Sequence, residues 1–510
     1  MTDSAGSQQH ASDDRSFPFR LDRCGDLGRL RQALNNAGYT QEAIAQTVLS
    51  DRSDKPLDPV SLRRRTASPS PLDTLQQLFI LAQAVPESHA RAVLAPADVD
   101  ELVTLGLLRR CAAGIQATAT LMPGEGLLMA REIYPDFLTG PVPHDYVLGT
   151  GPASRFTSYL TVRRSVESAM DLGTGAGFLA LLMARHSRQV VATDTNARAL
   201  CFAALNARLN ELPNIELRQG SLFEPVADRQ FDLIAANPPF VISPGSQFEY
   251  RDSGQPGDYL CEQVIRQAPL RLREGGYCSV LLNWHHTGTE DWAARPSQWV
   301  AANGCDAWIF NFLMRDPISY AATWLYPECG DKQDEYARRL DEWLAYFQRL
   351  GIGAISFGAI ILRKRSATRN WIRADIAPSG EPAQPCGDQI ERIFAAQTFL
   401  DELGEDGSLL DRKFTLAPDH QLQHVMQAEG GRWVVKAAEL TQAHGYPFVG
   451  HVDRLVCTVL AGCDGQHTLA ELVADLSTSL RADPAQVGPS CSRVIRTLLY
   501  WGFLTAVPPA

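Results

Sequence analysis

An α/β fold built around a mostly parallel sheet is what the sequence predicts for the middle of this 510-residue chain. Three observations carry the expectation. From about Asp145 to Arg365, short apolar runs alternate with helical patterns, the β-α-β rhythm of a sheet covered on both faces. The first run leads into "DLGTGAGF" (Asp171 to Phe178), a glycine-rich turn that opens a helix. The second and fourth end in polar residues, "VVATD" and "AANPPF", at chemistry-bearing positions.

Taken in order, residues 1–20 begin with "MTDSAGSQQHASDD", polar and without a signal peptide's apolar segment, and read as a disordered tail. Residues 21–140 read as mainly helical. "DLGRLRQALNNAGYTQEAIAQTV" and "PLDTLQQLFILAQAV" carry apolar residues at helical spacing. In "VDELVTLGLLRRCAAGIQATATLMP" a helix ends near Gly106 and a short alternating strand follows, the shape in which many winged-helix modules finish. The strands of the central domain, 141–375, are "SAMDLG", "QVVATD", "NIELRQG", "FDLIAAN" and "YCSVLLNW". "DEYARRLDEWLAYFQRLG" then reads as a long helix and "GAISFGAIILRKR" as a late strand. Residues 376–450 read as a connector with some structure, "GDQIERIFAAQTFLDEL" being helical. Residues 451–510 again suggest a winged-helix-like module, with the amphipathic "TLAELVADLSTSL" before the helix-to-ribbon "VIRTLLYWGFLTAV".

Composition narrows the function classes. With 45% hydrophobic and 21% charged residues, the chain is of the soluble globular type, long enough for two to four domains. No apolar run approaches the roughly 20 residues of a membrane span. Eleven cysteines lie scattered with no CxxC pair, which argues against a disulfide framework or a zinc ribbon and suits a reducing cytoplasm. A net charge of −11 disfavours non-specific contact with nucleic acid backbones. Residues 451–510 hold four arginines and no lysine against five carboxylates, so that module is not a DNA-reading surface.

In the glycine-rich turn, Gly173, Gly175 and Gly177 let the backbone bend tightly and approach a ligand. A phosphate loop would need Gly-Lys-Ser/Thr, which is absent. A dinucleotide fingerprint would need a glycine where Phe178 stands. Asp171 would repel a pyrophosphate and suits a ligand carrying an ammonium and a sulfonium, namely S-adenosylmethionine, with Thr174 within the same turn. Asp194 ends the next strand 21 positions after Gly173 (194 − 173), where an acid can take both ribose hydroxyls. Ser221 and Leu222, after the third strand, are placed to border the adenine.

DLGTGAG, TD and NPPF, in that order and spacing, resemble a class I S-adenosylmethionine-dependent methyltransferase with its Rossmann-like core. The resemblance covers roughly residues 145–300, and Asn-Pro-Pro-aromatic marks the members that methylate a planar nitrogen. Those of the HemK/PrmC type act on a glutamine amide in translation release factors; others act on exocyclic amines of adenine or guanine. "HDYVLGTGPAS" before the core and the segment after the motif are similar to the HemK type. HemK/PrmC enzymes usually carry Tyr where this chain has Phe240, and many methyltransferases carry an acid where Ser221 stands.

An amide or aromatic amine nitrogen is a poor nucleophile because its lone pair is delocalised. The Asn237 side-chain carbonyl and the Pro238 main-chain carbonyl are suited to grip its two hydrogens. Pro238 and Pro239 make the corner rigid, and Phe240 can stack on the flat acceptor. Asn237 thus borders both acceptor and cofactor. No catalytic metal or cysteine is called for. His285 and His286 point to opposite sides of a strand end. Cys201 and Cys278 read as small buried residues. Tyr250 and Arg251 lie where a lid is expected, and Arg251 suits a substrate contact or an exposed salt bridge. The expected acceptor is a protein glutamine amide, for which a translation factor is the natural partner, with end domains that dock it. The alternatives are a base in RNA or DNA and a binding protein on a retired methyltransferase fold. The acceptor's identity and the oligomeric state are not legible.

Overall fold

The computed structural model describes residues 18–508 apart from 51, 52, 57, 139, 288, 331, 378–383, 405 and 406. Strands and helices of the central region are numbered here, and other elements are given by their residues. The sheet consists of β1 (Val166–Leu172), β2 (Ser187–Asp194), β3 (Ile215–Gln219), β4 (Phe231–Ala236), β5 (Leu272–His286), β6 (Cys305–Arg315), β7 (Ala354–Lys364) and β8 (Ile372–Ile376). Its strand order is β8-β6-β7-β5-β4-β1-β2-β3. β2 and β3 pair in parallel, as do β4 and β5 and β6 and β8. β7 runs antiparallel to both β5 and β6. The five strands read from sequence are all present. β6 and β8 were not assigned from the sequence, and the reversed direction of β7 could not be read from its apolar pattern, which is the same for either direction.

Helices α1 (Pro152–Leu160), α2 (Phe178–Ala184), α3 (Ala197–Leu209), α4 (Tyr259–Arg271), α5 (Ala294–Val300), α6 (Pro317–Cys329) and α7 (Gln333–Arg349) complete the region. α7 matches the long helix read from sequence. Its apolar edge, including Trp343 and Phe347, packs with Tyr320 and Leu325 of α6.

By its contacts the chain divides into two compact units. The first holds residues up to 151, 170–227 and 246–253. Here Val99–Leu105 ends at Gly106, whose φ of 92° and position against the Pro18 carbonyl leave no room for a side chain. Two hairpins follow, Leu108–Cys111 with Gly114–Ala117 and Thr120–Gly124 with Leu127–Arg131. The second hairpin is stitched to α3. The Asn206 side chain accepts the Ala130 N–H at 2.6 Å and donates to the Ala130 and Ala176 carbonyls. The tail expected over 1–20 lies outside the described residues as far as 17. Phe19, also assigned to it, is instead buried with its ring edge on Phe202.

The second unit holds residues 152–169, 228–245 and 254 onward. Residues 376–450, read as a connector, contain the expected helix Gly387–Leu403 but also strands. Lys413–Leu416 pairs with both Asp464–Thr468 and Leu504–Ala506. His420–Glu429, Arg432–Gln442 and Gly450–Val452 form another sheet. The connector therefore supplies a strand to the same small sheet as the C-terminal residues. Leu469–Leu480 starts on a capping box, Thr468 with Glu471, and Pro484–Tyr500 precedes the last strand.

Candidate functional site

The glycine-rich turn belongs to the first unit. Asp171, the penultimate residue of β1, is fully buried; its Oδ2 accepts the Thr174 hydroxyl at 2.6 Å and the Ala180 N–H at 2.9 Å. Its Oδ1 is buried and has no partner. Burial pushes the carboxyl up to about 7, the Asp194 charge adds to the rise, and the bonds from Thr174 and Ala180 oppose it. The three glycines serve two purposes. At Gly173 and Gly175, with φ of 71° and 54°, an added Cβ would enter open space, so these two positions leave a free face. At Gly177 a Cβ would press on Ala203 of α3 at 3.1 Å, so its role is close packing.

Asp194 ends β2. Its Oδ2 accepts the Gly175 N–H at 2.8 Å and its Oδ1 the Asn196 N–H at 2.9 Å. Each oxygen keeps a lone pair, and burial raises its carboxyl above the usual range. The Gly220 N–H bonds the Asp194 carbonyl, which sets the exposed Ser221 and the adjoining Leu222, at φ 49°, beside this acid. A turn with an open glycine face and an orphaned buried carboxylate oxygen fits a ligand carrying positive charge, as S-adenosylmethionine does.

The NPPF corner belongs to the second unit. β4 stops at Ala236, and Asn237 follows at once. The Asn237 Nδ2 donates to Ser154 Oγ of α1 at 3.1 Å, while its Oδ1 is buried without a partner. The amide is thus tied at its donor end and open at its acceptor end. Pro238 is buried and Pro239 half-buried. The half-buried Phe240 ring lies 5.8 Å from that of Phe357 on β7. The Ile242 N–H donates to the buried Tyr320 hydroxyl of α6 at 3.0 Å, which fastens the segment leaving the corner.

The remaining candidates fall elsewhere. Arg251 is buried rather than exposed, paired with Asp252, whose Oδ2 also accepts the Gln247 and Phe248 N–H groups. Tyr250 stacks on Phe248. His286 is buried, and His285 Nδ1 lies 3.1 Å from Asp258. Asp258 also takes two bonds from Arg295. Cys201 and Cys278 are buried, and burial raises both thiols. No group of three or more His, Cys, Asp or Glu that could hold a metal is found among the described residues. Nor is any helix among them long and apolar enough to cross a membrane. Sequence reasoning missed Ser154 and Tyr320. The proline at the start of α1 in "GPAS" could have flagged a helix N-terminus at Ser154, but nothing local marks Tyr320.

Comparison with known proteins adds relatives of the central region. Residues 153–292 match the methyltransferase small domain. Residues 36–118 and 391–506 match two domains of unknown function, DUF7059 and DUF7782. The release factor glutamine methyltransferase of Xylella fastidiosa is 35% identical over 132 residues, 24% of this chain and 48% of that protein. The ribosomal protein uL3 glutamine methyltransferase of Bradyrhizobium diazoefficiens is 29% identical over 200 residues, 36% of this chain and 62% of that protein. The ribosomal protein uL3 glutamine methyltransferase of Bordetella pertussis is 43% identical over 124 residues, 22% and 42% of the two chains. This chain spans about half the length of the curated relatives it matches.

Proposed function

We propose that this chain is an S-adenosylmethionine-dependent N-methyltransferase whose acceptor is the side-chain amide of a protein glutamine. The observation that carries the reading is Asn237, held by Ser154 through its nitrogen with its carbonyl oxygen buried and unpartnered. That oxygen is an acceptor waiting for a donor, and a carboxamide N–H supplies one. The glutamine-methylating relatives support the same acceptor class, and a translation protein, a release factor or a ribosomal protein, is the proposed partner. The net charge of −11 favours a protein acceptor over a nucleic acid.

In this reading Gly173, Thr174, Gly175 and Gly177 shape the cofactor turn. Asp171 Oδ1 meets positive charge, Asp194 takes the ribose, and Ser221 and Leu222 border the adenine. The bound cofactor supplies an electrophilic methyl carbon on sulfur. Asn237 Oδ1 and the Pro238 carbonyl accept the two amide hydrogens, which favours a lone pair localised on nitrogen. Pro238 and Pro239 hold both carbonyls still, so little reorganisation accompanies the reaction. The Phe240 ring stacks on the amide plane and fixes its orientation. Residues 36–118 and 391–506, outside the methyltransferase domain, serve to dock the substrate protein in a cytoplasmic setting.

The test is to incubate cell extract with the purified chain and methyl-labelled S-adenosylmethionine, then digest portions with protease or RNase. The label is expected to be lost to protease and, after hydrolysis, to be recovered on a glutamine amide. Label lost to RNase sinks the glutamine reading in favour of a nucleobase. No label in any fraction, together with no cofactor binding by calorimetry, favours a binding protein.

A further inference from the structure

Asn237 is not the only asparagine of its unit tied at one end. Asn283, near the end of β5, is only 1% exposed. Its Nδ2 donates to the Tyr320 hydroxyl at 2.8 Å, and its Oδ1 is buried with no partner. The arrangement repeats that of Asn237 and Ser154 on the adjacent strand. One hydroxyl, that of Tyr320, therefore fixes both Asn283 and, through Ile242, the segment leaving the NPPF corner.

The ladder puts the two asparagines on one sheet face. Ala235 of β4 lies level with Ser279 of β5 in their parallel register. Side chains at 279, 281 and 283 share a face, and Asn237, two positions beyond Ala235, continues it. Phe357, directly opposite Asn283 on β7, carries the ring that meets Phe240. Continuing the register one step past the last pair, Ala236 with Val280, sets Asn237 level with Leu281 and Asn283 two residues further along, roughly 7 Å. That spacing is comparable to the length of an extended glutamine side chain. A buried carbonyl without a donor carries an uncompensated desolvation cost, and two of them on neighbouring strands point to one ligand that supplies both donors.

We propose that Asn283 is a substrate-binding residue whose Oδ1 accepts a main-chain N–H of the peptide bearing the glutamine, while Asn237 Oδ1 accepts a side-chain N–H. The inference rests on the glutamine reading and deepens it: the acceptor must present a peptide N–H at a fixed distance from its carboxamide.

The experiment compares methyl transfer to acetyl-Ala-Gln-Ala-amide with transfer to the same peptide N-methylated on the main chain, at the glutamine or at the residue after it. For the unaltered protein, one N-methylated peptide is expected to raise KM about tenfold with kcat held within about twofold, the size of one lost hydrogen bond. Asn283→Leu is expected to raise KM about tenfold for the parent peptide and to show no further rise with the methylated one. Its cofactor Kd stays unchanged, and its ligand-free Tm is unchanged or higher, since an unpaired buried acceptor is gone. Should Asn283→Leu fail to fold, Asn283→Ala removes the same carbonyl with no added bulk and leaves the Tyr320 hydroxyl on Ile242 in place, and its KM is read the same way. Equal KM values for variant and unaltered protein, or a methylation penalty that persists in the variant, overturn the proposal and leave the glutamine reading standing. If the unaltered protein methylates none of the peptides and the label in cell extract is not lost to protease, the glutamine reading falls and this inference with it; peptides refused while the extract label is lost to protease overturn this inference alone.

Discussion

In the proposed function, Asn237 concentrates the acceptor chemistry in one side chain. Asn237→Ala removes the free carbonyl and leaves the residues of the glycine-rich turn unaltered. It is expected to lower kcat by about 10²–10³, the usual loss for a preorganised polar group, with cofactor Kd unchanged by calorimetry. Asp171 makes a separate prediction through its raised pKa of about 7. A carboxyl whose folded pKa lies above its ordinary value gives the ligand-free fold stability at low pH that is lost as pH rises through about 7. A cationic cofactor prefers the carboxylate, so its affinity is expected to tighten from pH 6 to 8. Asp171→Asn should bind more weakly and flatten that dependence in a calorimetric series. Asp171, Asp194 and Asn237 were legible because each sits at a strand end inside a short local motif. Ser154 and Tyr320 were not, because their partners Asn237 and Ile242 lie 83 and 78 positions away in sequence.

At the scale of elements, the strand Leu127–Arg131 takes hydrogen bonds from α3 as well as from its hairpin partner Thr120–Gly124. The buried Asn206 satisfies three main-chain groups, on Ala130 and Ala176. Asn206→Ala leaves all three without partners and is expected to destabilise the protein by about 2–4 kcal/mol, read as a fall in Tm. Strands β1 to β5 and helix α7 were visible in the sequence from apolar runs and periodicity. β6 was passed over although "CDAWIFNFLMR" carries three aromatic residues and lies between the turn formers Asn303-Gly304 and Asp316-Pro317; its polar Asp306 and Asn311 interrupt the apolar run. The strands within 376–450 were missed for another reason. His420–Glu429 is exposed along its whole length, so it lacks the in-out alternation by which a half-buried strand is recognised.

Over the whole molecule, stability against acid reflects pairings among distant elements. Asp258 stands just before α4 and turns its carboxylate not to that helix but to Arg295 of α5 and the His285 main chain of β5. Burial alone would raise its carboxyl, but the bonds from His285 and Arg295 outweigh burial and hold it at about 2. A depressed folded pKa contributes stability above the ordinary carboxylate range that is lost as pH falls toward 2. Asp258→Asn should therefore lower Tm at pH 7, with the gap to the unaltered protein closing between about pH 4 and 2. The C-terminal residues join the same unit through aromatic packing: Phe310 of β6 meets Tyr446 and Phe448, and Phe448 meets Trp501.

By itself the sequence determined the β-α-β core, the glycine-rich turn at Asp171 to Gly177, Asp194, and the NPPF corner at Asn237. All of these are set by local chemistry: glycines that allow positive φ, prolines that end a strand, and acids held at strand ends. Only the tertiary structure decided which end of the Asn237 amide is occupied, that β7 runs antiparallel, and that Asn283 mirrors Asn237 on the next strand. Those features depend on hydroxyls and strands brought together from distant segments, and burial and pairing leave no periodicity in the chain from which that meeting could be read.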